Sequence, residues 1–272
     1  MSAAAPRRSA GELRLAVLRW LLPALVLAGL LLAWEWWVRS GLAPAIIVPA
    51  PSRIWQTFFQ DWDKLGPAFA STLATTAKGF VLAVAGGTLL AILFAQSRLI
   101  EFALYPYAVI LQVTPILAIA PLLLIYMSQE AAVLTCAWIV AFFPILSNTT
   151  TGLRSVDHNL LNLFELYGAS PWQKLWHLKL PAALPYFLGG LRIAGGLSLI
   201  GAVVAELAAG TAGSHGGLAF LVLSAQRFYK FPLSFAALVL LSAMGIVIFL
   251  VLSAFSHLML RNWHESAIER EN

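Results

Sequence analysis

Charge is scarce in this 272-residue chain. Only 11% of its residues are Asp, Glu, Lys or Arg, while 60% are hydrophobic; a soluble globular protein carries about a quarter charged. So much apolar mass cannot be hidden in one core of this size, which excludes a soluble domain and leaves lipid as the solvent. Cysteine is nearly absent. Cys136 stands alone, which excludes an internal disulfide and a cysteine-built metal site; within its apolar run it reads as a small buried hydrophobe. No G-x-x-x-x-G-K-[ST] phosphate cradle occurs, so ATP chemistry of that type is not in this chain. The histidines, at 158, 177, 215, 257 and 264, are scattered. They lack the converging nucleophile or paired carboxylates of an enzyme site. No aromatic-plus-basic cluster suits nucleic acid. The formal net charge of +5 comes mostly from basic residues at the ends of apolar runs, so it speaks to topology instead.

What is abundant is apolar sequence in pieces long enough to cross a bilayer, which takes ~20 residues each. A basic tail, 1–14, precedes a first span at 15–38 that ends in Trp34, Glu35, Trp36 and Trp37. That run is longer than a signal-peptide core of ~7–15 residues and has no small-x-small cleavage site, so it reads as an uncleaved span with an aromatic belt. An extracytoplasmic (periplasmic) connection, 39–67, carries Pro44, Pro49 and Pro51 and a stretch, 54–59, suited to a helix lying at the interface. The core, 68–260, holds five more spans, at about 69–95, 100–127, 131–150, 185–209 and 231–260, and a short tail, 261–272, follows. In the second span Gly79, Ala83, Gly86 and Gly87 allow another helix to come close. The third contains Pro106, Pro115 and Pro121 and is expected to be broken.

Orientation follows from the positions of Lys and Arg. With the N-terminus in the cytoplasm, the inner segments hold Arg7, Arg8, Arg14, Arg19, Arg98, Arg154, Lys174, Lys179, Arg261 and Arg270. The outer segments hold Arg39, Arg53, Lys64, Arg227 and Lys230. This bias places both ends, and the loop at 151–184, in the cytoplasm.

That loop is too polar to span and too apolar to be a free linker. Leu160, Leu163, Leu166 and Tyr167 recur at helical spacing, and Gly168 breaks the pattern. Ser170 and Pro171 then supply an N-cap and a first helical position. Leu175, Trp176 and Leu178 give this second helix an apolar face, and Leu180-Pro181 is expected to end it. The loop thus reads as two short amphipathic helices at a bend, which either pack on their own bundle or dock into a partner's groove.

From Gly168, nine residues lead to Leu178-Lys179-Leu180-Pro181, a spacing that resembles the EAA loop of binding-protein-dependent ABC importer permeases. Pro181-Ala-Ala-Leu-Pro185, Gly189-Gly190-Leu191-Arg192, Val203-Val204-Ala205-Glu206 and Val48-Pro49-Ala50-Pro51-Ser52 are similar to the nitrate, sulfonate and taurine branch. The positions of the eponymous EAA are Asn162, Leu163 and Phe164 here, and the glutamate, Glu165, comes three residues late. The resemblance implies an all-α integral membrane protein, a MetI-like type I ABC importer permease bundle of six transmembrane helices. It implies a second permease copy as a homodimer partner, a cytoplasmic ABC ATPase dimer, an extracytoplasmic substrate-binding protein, and no cofactor or metal of its own. It assigns the loop as the ATPase-coupling element, with Asn162, Glu165, Leu166, Tyr167, Gly168, Ala169, Pro171, Trp172, Leu180 and Pro181 as its residues. The solute is expected to be a sulfonate, taurine, nitrate or a pyrimidine precursor.

Ionisable groups at membrane depth invite a role of their own. Lys78 is expected to snorkel outward and Glu35 to serve structure. Arg192 pairs with a carboxylate or caps loop carbonyls. Glu206 either lines the path or outer gate or makes a structural hydrogen bond. Gln112 and Thr114, beside Pro115, are the candidate polar groups facing a cavity. The glycine-rich stretch from Gly210 to Pro232, with His215, reads as a re-entrant helix at the outer gate or as a plain loop. An ATPase-independent secondary transporter is the alternative; it predicts inverted repeats and midplane charges, and no repeat is visible.

Overall fold

The computed structural model describes residues 10–44, 46–210 and 216–261, and every regular element among them is helical. Five of these helices are long and apolar enough to cross a membrane, and a sharply bent pair makes six when taken as one span. The chain divides into two compact units, Met1–Trp62 with Ala225–Ala236, and Asp63–Ser224 with Ala237–Asn272.

In the first unit, α1 (Ala10–Arg39) leaves Leu25, Leu30 and Leu32 exposed. Residues 21–33 are exposed on every side of the helix, as befits a span whose apolar surface faces lipid. Its far end is tied to α2 (Pro51–Gln60) by Glu35. That carboxylate accepts from the Ser52 amide (3.0 Å), the Ser52 hydroxyl (2.7 Å) and Arg39 Nε (2.5 Å). Glu35 therefore serves an otherwise orphaned amide in the first turn of α2. On α2, Ile54 is buried while Trp55 and Phe59 are exposed, so its aromatics are free to rest on lipid headgroups.

The second unit begins with α3 (Trp62–Gln96) after its first residue. The helices α4 (Arg98–Val113) and α5 (Ile116–Tyr126) meet at a bend of 99°. The break falls at Thr114 and Pro115; Pro106 and Pro121 lie inside helices without ending them. Next come α6 (Gln129–Arg154), the short α7 (His158–Leu166) and α8 (Pro171–Lys174), a five-residue π-turn (Leu175–Lys179) and α9 (Leu180–Ala209). Two more helices follow, α10 (Leu218–Arg227) and α11 (Phe231–Leu260).

The core of this unit lies where α6 meets α3 and α9. Phe94, Ile145, Leu146, Leu153 and Leu188 are buried there, and Cys136 is buried with Ala137, Ala202 and Ala205. Glycine makes the approach possible. A Cβ on Gly201 would lie 2.6 Å from the Cys136 carbonyl oxygen, and one on Gly79 would lie 2.6 Å from Ala137 Cβ. Lys78 does more than snorkel: its ammonium reaches Glu130 at 3.2 Å, and both side chains are exposed.

Leu180-Pro181 does not end a helix, contrary to the sequence expectation. The chain is helical without interruption from Pro171 to Ala209. Proline lacks an N–H and crowds the carbonyl four residues back. The π-turn before it accommodates this, with the Leu180 amide bonding to the Leu175 carbonyl five residues earlier.

Candidate functional site

The segment between α6 and α9 is organised by its caps. Asp157 Oδ1 accepts from the Asn159 amide at 2.7 Å and starts α7. At the other end of α7, Gly168 adopts φ +66°. The Gly168 amide bonds to the Glu165 carbonyl and the Ala169 amide to the Phe164 carbonyl, each at 2.9 Å. Those two bonds around a left-handed residue form a Schellman motif. Immediately after it, Ser170 and Gln173 exchange bonds in a capping box: the Ser170 amide donates to Gln173 Oε1 (2.7 Å) and the Gln173 amide to Ser170 Oγ (3.3 Å). Lys174 Nζ crosses the bend to Glu165 Oε1 at 3.0 Å. One helix stop, one helix start and one ion pair thus hold a tight corner.

The corner turns its apolar side chains outward. Leu166 is 85% exposed and Tyr167 83% exposed, with Trp172 and Trp176 beside them. Asn162, Glu165, Gly168 and Pro171 are also exposed, and Ala169 is half-buried. Leu180 and Pro181 are half-buried at the start of α9 and stand apart from this outward group. Leu175 points the other way, into the core with Leu153 and Ala183, and so anchors the corner to the bundle. Gln173 is not among the expected residues, although its place as the fourth residue of a Ser-x-x-Gln capping box announces it in the sequence. Lys174 as the partner of Glu165 is a tertiary contact across a bend, and helical spacing does not reveal it.

The other candidates lie elsewhere. The Thr114 hydroxyl turns back to the Ile110 carbonyl at 2.5 Å, and Gln112 is exposed. Arg192 finds a hydroxyl rather than a carboxylate: its guanidinium donates to Ser256 Oγ of α11 at 2.7 Å. Glu206 is buried at 3% exposure. Its Oε1 accepts from the Thr72 hydroxyl (2.8 Å) and its Oε2 from the Ala219 amide (3.0 Å), while Thr72 Oγ1 accepts from the Leu218 amide (2.8 Å). Together the two residues cap α10 from outside, so the structural hydrogen bond is the role the geometry displays. Of the stretch from Gly210 to Pro232, residues 211–215 with His215 lie outside the described residues.

A family profile described as "Binding-protein-dependent transport system inner membrane component" matches residues 83–264. The chain belongs to the binding-protein-dependent ABC importer permeases. A probable ABC transporter permease protein of Haemophilus influenzae is 33% identical over 88% of this chain and 97% of that one. The riboflavin transport system permease protein of Chloroflexus aurantiacus is 33% identical over 87% of this chain and 88% of that one. A solved amino acid ABC transporter with histidines superposes with a TM-score of 0.56 at 20% identity, covering 75% of this chain and 98% of that one. The permease fold is therefore the all-helical, MetI-like bundle. Membership in an ABC permease family makes this a transport subunit of the inner membrane, with ATP hydrolysis belonging to a separate chain.

Proposed function

We propose that the chain is the transmembrane subunit of an ATP-driven importer for a small solute, and that the corner at Tyr167–Trp172 is where the ATPase docks. Two copies of the chain pair as a homodimer. A cytoplasmic ATPase dimer sits below and an extracytoplasmic binding protein above, with both ends of each permease chain in the cytoplasm. The solute is of the sulfonate, taurine, nitrate or pyrimidine-precursor type, the range carried by the permeases that the sequence resembles.

The observation that carries this reading is continuity. The exposed corner leads through α8 and the π-turn into a helix that runs unbroken from Pro171 to Ala209. A rigid helix transmits a push at its end as a displacement of the whole span, and a corner on a loose linker does not. Nucleotide-driven closure of the ATPase pair would move the two corners, and the bundle would switch the side to which its path opens. The exposed Leu166, Tyr167 and Trp172 supply the apolar anchors of such a contact, and the Glu165–Lys174 pair keeps the corner in shape. Gln112, Thr114, Arg192 and Glu206 remain the proposed gate or path residues, with Glu206 acting by holding α10 in place. An ATPase-independent secondary transporter would have no use for an exposed, preformed corner of this kind.

The test is co-purification of the chain with its ATPase, together with ATP-driven uptake, after Gly168→Asp and Tyr167→Ala. Loss of either property supports docking at the corner. Unchanged assembly and uptake in both variants contradict it.

A further inference from the structure

Three cationic side chains from three elements open onto one cavity of about 570 Å3. Arg98 comes from the first turn of α4, Arg154 from the last turn of α6 and Lys179 from the π-turn. A single carboxylate, Glu101, lines the same cavity, and it is already paired with Arg154. Lys179 reaches the Ala95 carbonyl at 3.4 Å. The Arg98 side chain has no ion-pair or hydrogen-bond partner among the described residues. The cavity therefore carries an excess of two positive charges. Drawing cations together in a partly enclosed site is costly unless an anion joins them.

The rest of the lining is apolar, from Phe94, Phe102, Leu153, Val156 and Leu161. On the outer side of the same turn of α4, Leu99 is 80% and Phe102 70% exposed, which is the surface of a helix that meets acyl chains. Phosphate chemistry matches the cations, and hydrocarbon matches the walls beside them. An anionic phospholipid carries both at the depth where a span ends.

We propose that this cavity binds the phosphate headgroup of an anionic phospholipid. Arg98, Lys179 and the unpaired donors of the Arg154 guanidinium take the phosphate oxygens, and the acyl chains lie along Leu99 and Phe102. Because Val156 and Leu161 line the cavity too, the bound lipid bridges α4 and the start of α7. It becomes a brace for the corner.

The experiment is native mass spectrometry of the full chain purified in detergent and offered phosphatidylglycerol or phosphatidylcholine. The wild type is expected to retain phosphatidylglycerol preferentially. Arg98→Gln combined with Lys179→Gln is expected to lower that preference about 30-fold, since each basic group near a lipid surface contributes roughly a factor of five. Lys78→Gln, on α3 and paired with Glu130 at the opposite end of α6 from Arg154, is expected to leave it unchanged. Thermal unfolding in phosphatidylcholine checks the double variant. If it melts early, Arg98→Gln alone is read, with a loss of about fivefold expected. Equal retention of the two lipids by the wild type overturns the proposal, as does undiminished preference in the variants. Displacement of the lipid by inorganic phosphate alone overturns the lipid source and assigns the site to a free oxyanion. Intact lipid preference with lost ATPase co-purification assigns the cations to a partner's carboxylates and also overturns it.

Discussion

Thr72 of α3 donates its hydroxyl to the buried Glu206 carboxylate of α9 at 2.8 Å and accepts the Leu218 amide at the same distance. Two spans are joined through this pair to the first turn of a short helix, α10, that has no span of its own to hold it. The arrangement satisfies donors that a buried helix start leaves without partners, and it explains how a glutamate is tolerated in a stretch of small residues.

Glu206→Ala leaves the Thr72 hydroxyl and the Ala219 amide without an acceptor. The expected loss is about 1–3 kcal/mol of stability, read as a lowered unfolding temperature with earlier proteolysis in α10. Gly217→Ala is expected to act on the same contact, because a Cβ there would collide with the Glu206 carboxylate. The double variant should therefore cost less than the two single losses added together.

Gly168 has open space around it, so a side chain there meets backbone strain and no clash. Gly168→Val is expected to cost about 1–2 kcal/mol at its φ of +66°. Gly168→Asn is expected to be cheaper, because asparagine tolerates the left-handed region. Uptake assays across the two variants check the order. Equal impairment would mean that the turn geometry is not what matters at this position.

Two glycines of α9 should respond in opposite directions. At Gly201 an added methyl meets the Cys136 carbonyl and the Ala137 backbone, which cannot move aside. Gly201→Ala is expected to destabilise by about 1–3 kcal/mol. At Gly196 nothing lies within 4 Å, and alanine is the better helix former by about 0.5–1 kcal/mol. Gly196→Ala is therefore expected to raise the unfolding temperature of the isolated chain.

The long apolar helices were readable because lipid demands length and hydrophobicity, and both are local properties. The corner was readable because capping residues announce themselves: Ser170-Pro171 as a start and Gly168 as a stop. Leu180-Pro181 misled because the same signal that ends a helix in water is absorbed by a π-turn when the helix continues into a span. The roles of Glu206 and Arg192 were not legible, since their partners, Thr72 and Ser256, lie 134 and 64 residues away in the chain. A threonine in an apolar run carries no sign of what it will bond to.

The proposed function places the ATPase's grip at the corner between α7 and α8. Cys136 is the only cysteine and it is buried, so a cysteine added at an exposed position can be labelled selectively. A photo-crosslinker on Tyr167→Cys or Trp172→Cys is expected to capture the ATPase subunit in the assembled complex. The same probe on Tyr126→Cys, exposed near the opposite end of α6, should not. Capture from Tyr126→Cys, with none from the two corner positions, would contradict the account.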